Sequence, residues 1–281
     1  MATIGLLHPG EMGASVGASG RHNGHRVLWV SDGRGDDTRR RAAAADLEDV
    51  GTLAQLVAAS DVVLSVCPPH AALDVAGAVA AQGFRGIYVD GNAVSPATSR
   101  SIARIVQAGG ATYVDGGIIG PPPDKPGTTR LYLSGPDAPR VSRMFAAGPL
   151  ETVVLNGHLM AASAIKMAYA SWTKGSQALV MAVRALAAAE GVDDALLAEW
   201  ARSQPDLAKR SENAAKGTAR KAWRWVAEMD EIAATFDGAG LPEGFHRAAG
   251  DVYRRMASYK DAPTAPSMEE VAKTLLRGSD A

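Results

Sequence analysis

The chain has 281 residues, 47% of them hydrophobic, and its 29 Lys and Arg against 30 Asp and Glu give a formal charge of −1. So even a balance excludes the basic field that recruits nucleic acid or an anionic membrane, and a small molecule is the expected partner. The length allows two domains with a core each. The lone cysteine, Cys67, excludes an internal disulfide, and the short apolar stretch after Met1 has neither the basic start nor the length of a signal peptide or membrane span, so a cytoplasmic location is expected.

An apolar run at 2–7 ends in a glycine turn, and helical spacing follows over 12–23, which predicts strand, turn, helix. A second apolar run at 27–30 precedes a helix at Leu53–Ala59 and a β-branched strand at 61–66, which Pro68 and Pro69 end. Then come a helix at 70–81, a strand at Ile87–Asp90, a helix at Pro96–Ala108 and a strand at 112–114. Last strands are expected at 131–133 and 152–155, with a helix at 137–146 between them. This alternation predicts an α/β domain with a parallel sheet and helices on both faces, and ligands gathering where strands end, after Leu7, Val30, Val66, Asp90 and Asp115. Past Asn156 the strand signals stop. A long alanine-rich helix is expected over 159–190, and further helices at 194–202, 218–236 and 242–259, so the expected domains are 1–156 (Rossmann-type, dinucleotide-binding) and 157–281 (all-α).

Backbone N–H groups at a strand-to-helix turn can meet a pyrophosphate if no side chain intervenes. G-x-G-x-x-G spacing falls on positions 8, 10 and 13, where this chain has His8, Gly10 and Gly13. The turn glycine is replaced by histidine, while Gly10, Glu11, Met12 and Gly13 remain the expected cradle. After the second strand, Ser31-Asp32-Gly33-Arg34 and Arg39-Arg40-Arg41 bear on the cofactor. Asp32 keeps NAD open, whereas Ser31 with Arg34 favours the extra phosphate of NADP, which is the expected cofactor.

In these features the chain resembles the β-hydroxyacid dehydrogenase superfamily, which includes 6-phosphogluconate and 3-hydroxyisobutyrate dehydrogenases. The resemblance rests on Gly10-Glu11-Met12-Gly13, Val66-Cys67-Pro68-Pro69, Asp90-Gly91-Asn92-Ala93-Val94-Ser95-Pro96 and Ser163-Ala164-Ile165-Lys166-Met167, in the family's order over about the first 190 residues. It is nearest to a phosphogluconate-dehydrogenase-like branch with its own C-terminal domain. The resemblance implies an N-terminal Rossmann domain, a long interdomain helix and a helical domain that helps build a homodimer or higher oligomer, with a homodimer the expected state. It also implies that Lys166 exchanges the substrate hydroxyl proton, that Asn92 lies near nicotinamide and substrate, that Pro68 borders the cofactor, and that Gly116, Gly117 and Ser163 line the substrate site. Two positions depart from the family pattern: Ile119 stands where serine is usual and Ala170 where asparagine is usual. Asp115-Gly116-Gly117-Ile118-Ile119 also resembles imine reductases of the same superfamily.

On physical grounds alone, Ser163, Lys166, Ala170, Thr173 and Gln177 share one stripe of an otherwise apolar helix. A lysine drawn out of water there could accept a proton and return it, as alcohol/ketone interconversion requires. Lys174 reads as a surface lysine, Trp223 and Trp225 near Glu228 and Glu231 as core beside a solvated face, and the six histidines and one cysteine show no metal-ligand spacing. The expected activity is hydride transfer between NADP(H) and a hydroxyl or carbonyl carbon. The alternatives are an imine substrate, or a catalytically silent nicotinamide-binding regulator, the latter suggested by His8, Ile119 and Ala170.

Overall fold

The computed structural model describes residues 1–277, which divide into two compact units, the first Met1–Met167 and the second from Ala168 onward. In the first, strand and helix alternate as β1 (Thr3–Leu7), α1 (Glu11–His22), β2 (Arg26–Trp29), α2 (Asp36–Ala44), β3 (Glu48–Asp49), α3 (Leu53–Ala59), β4 (Val62–Ser65), α4 (Ala72–Ala81), β5 (Ile87–Asp90), α5 (Pro96–Ala108) and β6 (Thr112–Ile119). The run closes with β7 (Thr129–Ser134), α6 (Ala138–Arg143), β8 (Leu150–Val154) and the start of α7 (Ala161–Ala189). All eight strands join one sheet in the order β3-β2-β1-β4-β5-β6-β7-β8. The central strands β1, β4 and β5 are buried on both faces, so alternate residues feed separate cores. Leu6, Leu64 and Val89 pack with Val16 of α1 on one side; Leu28, Val63 and Tyr88 pack with Leu56 of α3 and Ile102 of α5 on the other.

The sheet is not wholly parallel, as the strand-and-helix alternation had suggested. β6 continues through Gly116 and Gly117 to Ile119, because β7 returns antiparallel beside it and pairs Asp115 with Ser134 through Ile119 with Arg130. The glycines that read as a turn are ladder residues. Arg39, Arg40 and Arg41 lie on α2, a helix the sequence does not mark: only Ala42 of its nine residues is buried, so it carries no apolar stripe. β3 has two exposed polar residues and gave no strand signal.

In the second unit, α7 continues to Ala189 and is followed by α8 (Asp193–Ser203), α9 (Leu207–Thr218), α10 (Ala222–Gly238), α11 (Gly244–Arg255) and α12 (Met268–Leu276). The expected helix at 218–236 begins instead at Ala222, after a short 3-10 turn, and the division between units falls inside α7. α12 went unread although Ser267 and Glu270 form a capping box at its start. Lys174 is not a surface lysine: its ammonium pairs with Glu228 and sits 5.0 Å from the Trp225 ring, while Tyr253 donates to the Lys174 carbonyl at 2.6 Å. Trp225 and Glu228 are thus internal packing of this unit. No described helix is long and apolar enough to cross a membrane.

Candidate functional site

The sheet order reverses at β1, with β2 on one side and β4 on the other, so the turn after Leu7 opens at the position where doubly wound sheets take ligands. His8 holds a left-handed backbone, φ 69°, at the position of the missing glycine. The two remaining glycines have different reasons. A Cβ at Gly13 would fall 2.3 Å from the His8 carbonyl oxygen, so α1 can seat on the turn only with glycine there. A Cβ at Gly10 would meet nothing within 4 Å. Packing therefore does not demand Gly10, and its bare Cα faces open space at the start of α1, where Gly10 as N-cap offers no side chain to the first N–H groups. That cradle fits a pyrophosphate. Glu11 is exposed in this first turn, while Met12 turns inward and packs on the core.

Beyond β2, Ser31 is buried, and its carbonyl accepts from Arg39 Nη2 at 3.0 Å and from the Arg34 N–H at 3.1 Å. Burial would raise the Asp49 carboxyl, but hydrogen bonds from the Gly51 N–H and from Ser31 hold it below its usual range. Arg34 reaches back to the turn, its Nη2 2.8 Å from His8 Nε2. Burial and then the Arg34 charge hold His8 down to about 4, so the imidazole is neutral near pH 7 and accepts from the guanidinium.

The ends of β4 and β5 are tied by Asn92. Its Oδ1 accepts from the Cys67 N–H at 2.6 Å, its Nδ2 donates to Ser65 Oγ at 3.1 Å, and it is 2% exposed. The Asn92 amide is turned inward and clamps the two strands at their ends. Pro68, one residue past that clamp, is exposed. Cys67 is half-buried, and burial pushes its thiol up to about 11, which keeps it inert.

Below Asn92 lie two buried carboxyl groups that sequence reasoning missed as site residues. Tyr-Val-Asp-Gly occurs at 88–91 and again at 113–116, and the ladder aligns Tyr88 with Tyr113 and Asp90 with Asp115. That doubled tetrapeptide was the available signal. Burial, reinforced by the Asp115 charge, pushes Asp90 up to about 7 against the hydrogen bond from the Asn92 N–H. Asp115 is also raised by burial, and it is opposed by more donors: the Ser163 N–H at 2.8 Å, the Ser163 hydroxyl, and Ser99 Oγ at 2.7 Å. Tyr113 donates to that same Ser99 oxygen at 2.7 Å. Ser134 accepts the Ala162 N–H at 3.1 Å and donates to the Leu159 carbonyl at 2.8 Å.

Strands β6 and β7 therefore cap the first turn of α7 from outside the helix, and Ser163, 1% exposed, is part of that cap. Gly116 and Gly117 are likewise filled by protein. A Cβ at Gly116 would fall 2.7 Å from the Asp90 carbonyl oxygen; one at Gly117 would fall 2.5 Å from the Ala162 carbonyl oxygen and 3.0 Å from Lys166 Cβ. The half-buried Lys166 thus starts directly over the bare face of β6, one turn beyond Ser163. Within the first unit the structure brings together Lys166, Ser163, Gly116, Gly117 and Asn92 around the end of β5 and the middle of β6, and places Gly10, Gly13, His8, Ser31 and Arg34 around the ends of β1 and β2.

The family model of the NAD binding domain of 6-phosphogluconate dehydrogenase matches residues 1–139, and that of a domain of unknown function (DUF1932) matches residues 187–256. An uncharacterized 28.5 kDa protein of Methanothermus fervidus is 32% identical over 195 residues, 69% of this chain and 74% of its own length. A solved conserved protein of unknown function, described as structurally similar to 3-hydroxyacid dehydrogenases, is 25% identical with a TM-score of 0.67 over 91% of this chain and 99% of its own. The 3-hydroxyisobutyrate dehydrogenase of Mycobacterium tuberculosis, solved with L-serine, shares the fold at 18% identity and a TM-score of 0.69, over 98% and 99% of the two chains. Imine reductases share this fold as well.

Proposed function

The chain belongs to the family that joins an NAD-binding domain of the 6-phosphogluconate dehydrogenase type to a DUF1932 domain, in the fold of the 3-hydroxyacid dehydrogenases, and on that premise we propose that it is an oxidoreductase using NADP(H), with NAD(H) as the alternative, on the hydroxyl or carbonyl carbon of a small polar metabolite. Lys166 is its general acid/base. The observation that carries this reading is the seat of Lys166, whose helix is pinned at its first turn by Asp115 and whose Cβ rests over Gly117. A proton-transfer group has to be held in place, and a buried carboxylate and two strands hold this one.

A nicotinamide held there would supply or take the hydride. Gly10 and the opening N–H groups of α1 hold the pyrophosphate, with Gly13 setting the helix close to the turn. Lys166 takes the proton from the hydroxyl oxygen as the alcohol becomes a carbonyl and returns it in reduction. Asn92 keeps the ends of β4 and β5 in register beside them. Oxidation of NADPH against a panel of small 3-oxo and 2-oxo acids tests the reading: wild type turns over at least one of them, and Lys166→Ala loses on the order of 10²-fold or more with NADPH binding retained. Turnover unchanged in the variant removes the role.

A second reading takes a C=N substrate. It is favoured by Ile118 and Ile119, 6% and 3% exposed at the end of β6, where the family's serine would hold a carboxylate. Reduction of cyclic imines in preference to oxo acids by the same enzyme and cofactor supports it. The protein is further proposed to be a homodimer: Trp172, Leu179 and Leu186 of α7, 69%, 60% and 61% exposed, recur every seven residues, the spacing that seats one helix against another.

A further inference from the structure

Arg34 is the one arginine near the dinucleotide turn whose guanidinium meets neither a carboxylate nor a carbonyl among the described residues. Arg39 spends its guanidinium on the carbonyls of Ser31 (3.0 Å) and Arg34 (3.3 Å), Arg41 on Pro9 O (3.4 Å) and Thr38 Oγ1 (3.3 Å), and Arg40 on Asp37. Arg34 Nη2 has only the His8 imidazole, and its Nε is buried without a hydrogen-bond partner. A cation drawn partly out of water with no anion beside it lacks the interaction that offsets its desolvation. Its surroundings are nonetheless fixed. The Arg34 N–H closes a tight turn on the Ser31 carbonyl, and Arg39 braces that turn from both sides.

His8 shares in this arrangement. A side chain at φ 69° costs roughly 1 kcal/mol that glycine would avoid, so histidine at this position needs a compensating interaction, and the one present is the acceptor nitrogen offered to Arg34. A guanidinium can only donate, which fixes His8 Nε2 as the lone-pair side of the ring. The imidazole therefore carries the Arg34 fork from the loop after β2 onto the turn after β1, the corner where the adenosine ribose of a dinucleotide lies when its pyrophosphate rests on α1.

We propose that His8 and Arg34 act as one unit that selects the 2′-phosphorylated dinucleotide, the imidazole holding the guanidinium where it grips a phosphomonoester on the adenosine ribose. The proposal rests on the dinucleotide reading of the turn and adds a residue to it: His8 becomes a specificity-determining position through Arg34. A phosphomonoester dianion suits the fork better than a ribose hydroxyl, because guanidinium and phosphate form two parallel charge-assisted hydrogen bonds.

Calorimetric titration of the full chain with NADP⁺, NAD⁺, 2′,5′-ADP, 5′-AMP and inorganic phosphate tests this in wild type, Arg34→Ala and His8→Gly. Wild type is expected to bind NADP⁺ over NAD⁺, and 2′,5′-ADP over 5′-AMP, by at least tenfold. Arg34→Ala should bring both ratios near one. His8→Gly, which restores the usual turn residue, should reduce both ratios at least threefold. Competition by inorganic phosphate against 2′,5′-ADP but not 5′-AMP places the effect at the 2′ position. Equal binding of NADP⁺ and NAD⁺ overturns the proposal and leaves the dinucleotide reading standing; a preference lost in Arg34→Ala but untouched in His8→Gly overturns the pairing; binding of neither dinucleotide overturns both.

Discussion

Asp115 and Ser163 stand 48 residues apart in sequence and are joined twice, the Ser163 N–H donating to Asp115 Oδ2 at 2.8 Å and the Ser163 hydroxyl to Oδ1. One buried carboxylate thus satisfies an open N–H of α7 and fixes the helix three residues before Lys166. Asp115→Asn keeps the shape but turns one acceptor into a donor facing donors. The expected cost is about 3 kcal/mol, read as a lower urea midpoint with faster amide exchange at Ser163. An unchanged midpoint and exchange rate would show that the first turn holds itself.

The glycines separate packing from binding. Gly10→Ala should leave stability within about 0.5 kcal/mol, since its Cβ enters open space at φ −70°, yet weaken NADP⁺ binding at least tenfold. Gly117→Ala should do the reverse of the first effect, destabilising by roughly 2–4 kcal/mol because its Cβ would lie 2.5 Å from the Ala162 carbonyl oxygen. Thermal unfolding together with dinucleotide titration distinguishes them, and equal stability loss in both would contradict the assignment of Gly10 to the ligand.

Two buried groups pull the pH dependence of stability in opposite directions. Burial lifts Asp90 from 3.8 to about 7, so the folded protein keeps a proton that the unfolded chain has released. The Asp90 contribution is fully present below about pH 4 and is lost as the pH rises towards 7. His8, lowered from 6.5 to about 4 by burial and by Arg34, contributes stability above pH 6.5 that is lost as the pH falls towards 4. Asp90→Asn should therefore raise stability at pH 7.5 relative to pH 5 by roughly 2 kcal/mol compared with wild type. Denaturant midpoints at the two pH values measure it, and a parallel shift at both would show that Asp90 does not hold a proton in the fold.

The seven-residue apolar repeat on α7 is expected to be covered by a second copy. Light scattering on the eluted protein should give twice the 29.1 kDa chain mass, and Leu179→Glu should shift it to the monomer while leaving NADP⁺ affinity unchanged. A monomeric wild type would end the dimer proposal.

Much of the first unit was legible because its signals are local. The strand and helix at the N-terminus, the diproline after β4 and the proline opening α5 each follow from neighbouring residues. What escaped depends on partners distant in sequence. Gly116 and Gly117 read as a turn until β7 lies beside them, and the inward bonds of Asn92 to Cys67 and Ser65 exist only once β4 and β5 lie side by side. Asp115 had no periodicity to mark it, since a carboxylate that caps a helix from another strand leaves no trace in the helix's own sequence. The doubled Tyr-Val-Asp-Gly was visible, but only the register showed that it stacks two carboxyl groups side by side.

The central claim is that the Lys166 amine moves the substrate proton, and chemical rescue tests it most directly. With a substrate found on the oxo-acid panel, Lys166→Ala is assayed for NADPH oxidation at rising methylamine concentration, with cofactor affinity measured in parallel. The expected result is NADPH affinity near wild type, turnover down on the order of 10²-fold or more, and a rate that climbs with the added amine. Full turnover in the variant without any amine would contradict it.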